Sequence, residues 1–311
     1  MPSWKERGRA FLFAFETDTW LAFLRVGLGL QLAAYVLSLA GSWNYFLAGA
    51  GAGLVSREVS EALVSTESRL IPRIGWLVRA GGSIGLDEET VLLAAWITLL
   101  LAAILLIVGF LSRLAAIAGW FLHLCAAKSG GLLSYGVDNF MTIGLFYLMW
   151  SPLPDRYALD AMWRKGRLKD PRMLGFFRRL LQLHLCVIYF FGGLTKCLGS
   201  GWWDGSNLWR ALTRPPFDVL APELIVNFAA FLPVIGISIW VIEMTYPIFI
   251  WLRRTRWLWL ALICAMHVGI GLTMGMHLFA LIMIVLNLAA FGPPFRTRQP
   301  EKAAAPLTAV A

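Results

Sequence analysis

The chain has 311 residues, of which 59% are hydrophobic and only 14% are charged, and its mean hydropathy is +0.70. A soluble protein of this length does not have this composition, so the expected solvent is a lipid bilayer. The net charge of +9 is segregated by loop and is not spread along a docking face, so nucleic acid is not an expected partner. Four cysteines lie in separate apolar runs without metal-ligand spacing, so neither a zinc site nor a disulfide framework is expected.

The hydrophobic runs predict an all-α, polytopic integral membrane protein of about eight transmembrane helices. Residues 1–18 are predicted to form a cytoplasmic interfacial segment, residues 19–292 the transmembrane domain, and residues 293–311 a disordered basic and Pro/Ala-rich tail. Within the long loop 41–90, residues 54–79 are amphipathic enough to form a surface or short packed helix. The predicted spans are 20–40, 91–111, 114–127, 139–151, 180–198, 224–251, 257–275 and 278–292.

The distribution of lysine and arginine predicts the orientation of these spans. The termini and the three loops that share their side, at 112–113, 152–179 and 252–256, hold 18 of the 27 cationic residues. The positive-inside rule therefore predicts that both termini are cytoplasmic. The expected location is the cell inner membrane, as a multi-pass protein.

Lys196 is the leading candidate for a functional residue. It lies near the far end of an apolar run that leads into Trp202, Trp203 and Asp204. A cation at the middle of a bilayer costs about 2.5–3.5 kcal/mol, so a lysine kept inside a membrane helix is a functional candidate, here as a base. The alternative is that Lys196 caps the end of its helix at the membrane surface.

Helical spacing defines the face on which Lys196 lies. Gln182, Cys186, Tyr189, Gly193 and Lys196 follow one another at steps of three or four residues and therefore share one side of the helix. The glycine pair at 192–193 would allow a neighbouring helix or a flat ligand to approach that side closely.

Other polar residues within the predicted spans have both a functional and a structural interpretation. Glu243 requires a partner or a proton, and an Arg25–Glu243 pair is one structural solution. Asp138 and Asn139 open the fourth span, where an acidic residue also suits a helix N-terminus. His267 and His277 flank the last outer turn, where a histidine could carry a proton, donate to a quinone oxygen or simply pack.

The predicted topology places Lys196, Asp204, Asp138 and the two histidines of the last turn near the outer leaflet. Their gathering at one depth indicates a pocket that opens outward. Lipid-soluble molecules would reach such a pocket from the side and polar molecules from outside.

Several segments together resemble a known family, the HTTM (horizontally transferred transmembrane) domain. They are GVDNFMTIGLFYLMWSPLPDRYALD at 136–160, YFFGGLTKCLGSGWWDGSNLW at 189–209, EMTYP at 243–247 and AMHVGIGLTMGMHLF at 265–279. This domain is the membrane part of vitamin K-dependent gamma-glutamyl carboxylase and of its bacterial relatives. The resemblance covers about residues 15–292, and the lysine segment with the WWDG loop is its most specific part.

The resemblance implies a quinol-linked membrane enzyme. In the carboxylase a lysine in the matching context deprotonates vitamin K hydroquinone, oxygen adds, and the strong base that results removes a proton from a peptide glutamate, which captures carbon dioxide. By position that lysine is Lys196. The expected cofactor is reduced vitamin K or menaquinol, with O2 and CO2 as co-substrates.

Other candidate residues follow from the resemblance and from their predicted depth. The catalytic set is Lys196, Asn139, Asp138 and His267, and the cofactor-binding set is Tyr189, Gly193, Trp202, Trp203, Asp204, Glu243 and His277. One departure from the family is that a carboxylase histidine following an asparagine matches Asn139 here. The carboxylase also has a lumenal region that holds its substrate, so a peptide substrate is expected to come with another subunit or to bind unaided.

Two alternatives remain open from the sequence. The chain could be a non-catalytic maturation, immunity or binding partner for an exported peptide, in which the fold survives without the chemistry. A transporter is the third hypothesis, although the sequence contains no internal repeat. The expected partners are membrane lipid, a quinone, and an exported peptide or a separate periplasmic or thiol-oxidoreductase subunit.

Overall fold

The computed structural model describes residues 3–49, 55–131, 134–163 and 170–293. The regular structure of these residues is entirely helical, which confirms the all-α prediction. The predicted tail, from residue 294 onward, and the basic residues at 164–169 lie outside the described residues. In chain order the helices are α1 (Trp4–Leu12), α2 (Thr19–Ser38), α3 (Trp43–Leu47), α4 (Arg57–Glu67), α5 (Ile74–Gly82), α6 (Glu88–Val108), α7 (Ser112–Ser129), α8 (Gly136–Trp150), α9 (Leu159–Trp163), α10 (Pro171–Leu198), α11 (Ser206–Thr213), α12 (Pro222–Phe228), α13 (Leu232–Phe249), α14 (Arg256–Met274) and α15 (His277–Phe291).

Each predicted span coincides with a helix, the sixth with α12 and α13 together. Five helical segments are long and apolar enough to cross a membrane, which is compatible with a membrane protein. The helix α15 is apolar but shorter. The five segments are Thr19–Ser38, Glu88–Val108, Pro171–Leu198, Pro222–Phe249 and Arg256–Met274.

Helix α2 lies at the centre of the bundle, packed against α6, α8 and α15. Its leucines at 21, 24, 28 and 32 recur at steps of three or four residues and are fully buried, as the 3.6-residue period of a helix requires for one core-facing side. Helix α10 packs mainly against α13, and α14 packs against α15. The fold thus places α10 and α13, which carry the residues of the site, side by side.

Helix α10 begins at Pro171, well before the predicted start of its span at residue 180. Asp170 accepts a hydrogen bond from the backbone nitrogen of Arg172, and Pro171 occupies the first turn, where a missing N–H does no harm. The added turns bury Arg178, which donates to Glu16 at 2.8 Å and to the carbonyl of Ala290 at 3.0 Å. The predicted span starts after Arg178 and Arg179, because the sequence alone does not show that Arg178 has partners.

The predicted amphipathic segment 54–79 forms parts of two helices, α4 and α5. Helix α4 packs on α7, and α5 packs on α6 and α7. Glu61 of α4 accepts from the backbone nitrogen of Gly75 at 2.8 Å and from the hydroxyl of Ser129 at 2.7 Å. These bonds fasten the long loop to one end of the bundle.

Candidate functional site

The ammonium of Lys196 pairs with the carboxylate of Glu243. Its Nζ lies 2.6 Å from Glu243 Oε2, so the pair joins the last turn of α10 to the middle of α13. Glu243 is buried, whereas the Lys196 side chain is 24% exposed. Both charges sit on apolar helices, where each needs the other to offset its desolvation. The pair is therefore the main polar contact between α10 and α13.

Glycine makes this contact close. A Cβ at Gly193 would lie 2.5 Å from the backbone nitrogen of Met244 and 2.9 Å from the carbonyl of Trp240, both on α13. No larger residue fits without separating the helices. Gly193 therefore allows a neighbouring helix, α13, to approach α10 closely, which is one of the two possibilities predicted from the sequence.

The loop after α10 covers one side of the pair. The Lys196 ammonium lies 5.4 Å from the centre of the Trp202 ring, within the range of a cation–π interaction. Trp203 turns away, donates from Nε1 to the carbonyl of Cys197 at 2.7 Å, and packs against the ring of Trp240. Trp202 is the tryptophan that contacts the pair, while Trp203 holds the loop against α13.

Asp204 organises the start of α11. Its carboxylate accepts from the backbone nitrogen of Ser206 at 2.8 Å, next to Gly205 in a left-handed conformation. This backbone hydrogen bond from Ser206 lowers the pKa of Asp204 below its ordinary value, because the bond favours the charged carboxylate. The side chain is exposed, so the structure shows Asp204 as a loop-stabilising residue near the pair.

Two turns before Lys196 on the same face, a buried chain of hydrogen bonds crosses from α13 to α14. Tyr246 donates to Asn287 Oδ1 at 2.8 Å, and Asn287 Nδ2 donates to the carbonyl of Met283 at 2.8 Å and to the Tyr189 hydroxyl at 2.7 Å. The Tyr189 oxygen lies 2.9 Å from His267 Nε2. Asn287 therefore links α10, α13 and α15, and Tyr189 extends the chain of hydrogen bonds to α14.

The directions of these bonds identify the proton on His267. A carbonyl only accepts, so the atom facing Met283 must be the amide nitrogen of Asn287. Tyr189 then accepts from Asn287 and gives its own proton to His267 Nε2. The neutral His267 ring consequently carries its hydrogen on Nδ1, a buried atom with no hydrogen-bond partner among the described residues. Buried polar groups in folded proteins usually have a hydrogen-bond partner, so this unpaired donor is unusual.

Asp138 lies in a second cluster, between α7 and α8. Its Oδ2 accepts from the backbone nitrogen of Tyr135 at 2.9 Å, and its Oδ1 lies 3.6 Å from Nε2 of the fully buried His123. The other ring nitrogen of His123 is 3.2 Å from the Thr142 hydroxyl. Asp138 thus combines the predicted helix-capping position with a buried histidine partner, and its neighbour Asn139 is exposed.

The aromatic ring of Phe279 stands between the two polar clusters. Its centre is 5.6 Å from the ring of His267 and 5.9 Å from that of Phe140. A Cβ at Gly136, at the start of α8, would lie 2.8 Å from Phe279. His277, at the start of α15, faces Gly271 of α14. The residues that were predicted to lie together therefore form two separate groups, one around Lys196 and one around Asp138. His277 lies beside the turn between α14 and α15.

Arg25 does not pair with Glu243, so the structural alternative proposed from the sequence is wrong. Its guanidinium forms a bidentate contact with the Asp155 carboxylate, with Nε 2.6 Å from Oδ2 and Nη2 3.2 Å from Oδ1. It also donates to the carbonyls of Leu106 and Ile107 at the end of α6. Glu243 is left to Lys196.

Sequence reasoning missed Asn287 and Asp155. Asn287 is a single amide within the apolar run of α15, and that isolation was a usable signal because a buried amide must find partners. Asp155 lies in a proline-containing loop and carries no comparable signal. Among the described residues, no group of three or more His, Cys, Asp or Glu side chains could hold a metal ion.

Comparisons of the chain with protein-family models, with curated proteins and with solved structures found no match.

Proposed function

We propose that the chain is an eight-span protein of the cell inner membrane, with both termini cytoplasmic, and that it acts as a quinol-linked enzyme of the vitamin K-dependent gamma-carboxylase class. The observation that carries this proposal is the Lys196–Glu243 ion pair, which is held between apolar helices and is partly exposed at the lysine. The lysine segment and the WWDG loop, which resemble the HTTM domain, support the same assignment.

Lys196 and Glu243 can act together as one base. In the resting pair, Lys196 is an ammonium and Glu243 a carboxylate 2.6 Å away. Lys196 passes a proton to Glu243 and takes one from a substrate hydroxyl, which leaves a neutral carboxyl and an ammonium. The negative charge left on the substrate then lies beside that ammonium, so the total charge is unchanged. Low polarity favours this arrangement because no net charge is created.

The residues around the pair suit a flat reduced quinone. When bound, reduced vitamin K or menaquinol would supply a weakly acidic hydroxyl and, with O2, the oxidising chemistry that drives the addition of CO2 to an acceptor. Lys196 would contact that hydroxyl, and Trp202 offers an aromatic ring beside it. The Nδ1–H of His267 is a second donor within the same helix group. The acceptor is proposed to be an exported peptide or a small substrate, presented with a separate subunit where one is required.

The test is oxygen-dependent conversion of vitamin K hydroquinone or menaquinol to its epoxide by the purified full chain in lipid nanodiscs. Replacing a general base lowers turnover by about 10²- to 10⁴-fold, so Lys196→Met should lose epoxide formation to that extent. Lys128→Met, which removes a lysine from α7, is the matched control and should retain turnover. Unchanged turnover in Lys196→Met would contradict the assignment of the base.

A second candidate function is that of a non-catalytic binding partner for an exported peptide. It is favoured by the separation of Asp138, a predicted catalytic residue, from the Lys196 group, because Asp138 contacts Tyr135, His123 and Tyr35. Absence of epoxide from the folded wild type, together with a stable complex with such a peptide, would support this candidate over the enzyme.

A further inference from the structure

Gly192 lies at the boundary between the buried and the exposed sides of α10. Tyr189 and Gly193 are buried on the side that faces α13, whereas Phe191 and Leu198 are exposed apolar residues on the opposite side. At 100° per residue, Gly192 falls between these two sides, one turn before Lys196. In a bilayer, the exposed apolar side faces lipid.

Position 192 lies directly over the ion pair. A Cβ there would be 3.4 Å from Glu243 Oε2 and 3.7 Å from Lys196 Nζ, at ordinary van der Waals distances. An alanine would therefore fit and would cover the pair, whereas at Gly193 a Cβ would collide with the backbone of α13. Close helix packing explains the glycine at 193 but does not explain the glycine at 192.

We propose that Gly192 keeps the Lys196–Glu243 pair open to the lipid, and that a flat, lipid-soluble molecule with an ionisable hydroxyl reaches the pair sideways across this residue. The exposed neighbours of Gly192 are apolar, except for the uncharged Thr195. The Thr195 hydroxyl donates to the Gly192 carbonyl at 2.9 Å, so its hydrogen bond is made within the helix. An uncharged amphipathic ligand suits this surface, and a charged one does not. The identity of the ligand as a quinol rests on the proposed function, whereas the access route is tested without it.

The experiment measures how the Lys196 amine is reached. The full chain in lipid nanodiscs is treated at alkaline pH with phenyl isothiocyanate, which partitions into lipid, or with its sulfonated analogue, which stays in water. Mass spectrometry quantifies the adduct at Lys196 against Lys5, an exposed lysine of α1. The proposal predicts that the lipid-soluble reagent modifies Lys196 about 10-fold or more faster than the sulfonated one, since a sulfonate is strongly excluded from hydrocarbon.

Side chains at position 192 should close the route. Gly192→Ala is expected to slow modification of Lys196 several-fold and Gly192→Val about 10-fold or more, with Lys5 unchanged, because even one added methylene is felt in a packed site. Gly269→Ala is the control, since a Cβ there meets nothing within 4 Å. Thermal unfolding checks that each variant is folded, and the alanine variant keeps the test valid if the valine variant is not.

Three outcomes would overturn the proposal. They are equal or faster modification of Lys196 by the sulfonated reagent, no modification of Lys196 by either reagent, and unchanged modification in both Gly192 variants. Failure of the proposed function looks different, because Lys196 would then be modified as expected in a protein that forms no epoxide.

Discussion

Two of the cation–carboxylate pairs among the described residues, Arg25–Asp155 and Lys196–Glu243, differ in their surroundings. Arg25 and Asp155 are sealed, with side-chain exposures of 1% and 0%, and the guanidinium also binds two backbone carbonyls at the end of α6. Lys196 has one carboxylate partner, a weak contact to the Gly192 carbonyl at 3.4 Å, and a tryptophan ring.

The chemistry of the two cations follows the same division. Arginine is effectively always charged and its planar guanidinium matches the two oxygens of a carboxylate, so Arg25 suits a structural ion pair. Lysine releases its proton more readily and presents a single movable ammonium. Of the two pairs, Lys196–Glu243 therefore has the exchangeable and partly exposed cation that the proposed chemistry requires.

The largest expected effect on turnover comes from making the Lys196–Glu243 pair resemble the Arg25–Asp155 pair. Lys196→Arg preserves a cation beside Glu243 but removes the exchangeable amine, so the protein should fold while epoxide formation falls by about 10²-fold or more. Turnover and thermal unfolding are measured on the same preparation. Arg25→Lys is the reciprocal variant, expected to lower stability while each folded molecule keeps its turnover. Full turnover in Lys196→Arg would show that the pair is a structural fastening like Arg25–Asp155.

Breaking the sealed pair should cost stability. Arg25→Met leaves the Asp155 carboxylate buried without a cation, and removal of one partner from a buried pair destabilises proteins by about 3–5 kcal/mol. The Arg25→Met/Asp155→Asn double variant removes the stranded charge and should recover part of that loss. Denaturant unfolding in detergent micelles measures both. A double variant no more stable than Arg25→Met would mean that the carbonyl contacts of Arg25, and not its charge, hold the loop.

The Asn287 amide, which links α10, α13 and α15, should contribute less to stability than the sealed ion pair. Asn287→Leu leaves the buried Tyr246 hydroxyl without its partner, which costs about 1–3 kcal/mol for an unsatisfied group, and removes the donor to Tyr189, whose hydroxyl keeps its bond to His267. Asn139→Leu, at an exposed amide, is the control and should change stability little. Thermal unfolding compares the two. Equal effects at the two positions would contradict the structural importance of the Asn287 chain.

The sequence predicted positions along the chain better than it predicted partners. Periodicity identified the helices and placed Tyr189 and Gly193 on the side of Lys196, because the spacing of a helix is a local property. It could not assign Glu243 to Lys196 rather than to Arg25, since residues 47 positions apart meet only through the packing of α10 on α13.

The predicted start of the fifth span was inaccurate for the same reason. The predicted fifth span starts after Arg178, yet the helix already includes this residue because Glu16 and the carbonyls of Ala290 and Gly292 supply partners from distant parts of the chain. A charged residue was therefore a poor indication of where this helix begins.

The smallest expected effect concerns the loop that carries Trp202. The lowered pKa of Asp204 means that its carboxylate stabilises the fold at pH values above the ordinary aspartate pKa, and that this contribution is lost as the pH falls through the lowered value. Asp204→Asn can still accept from the Ser206 nitrogen but does not titrate, so its unfolding temperature should depend less on pH in the acidic range than that of the wild type.

Asp87→Asn is the matched control for an exposed capping carboxylate at the start of α6, where the Thr90 side chain and backbone likewise lower the Asp87 pKa. Tryptophan fluorescence distinguishes the two sites, because Trp202 and Trp203 adjoin Asp204, and an acid-dependent change that persists in Asp204→Asn would show that another group controls the loop.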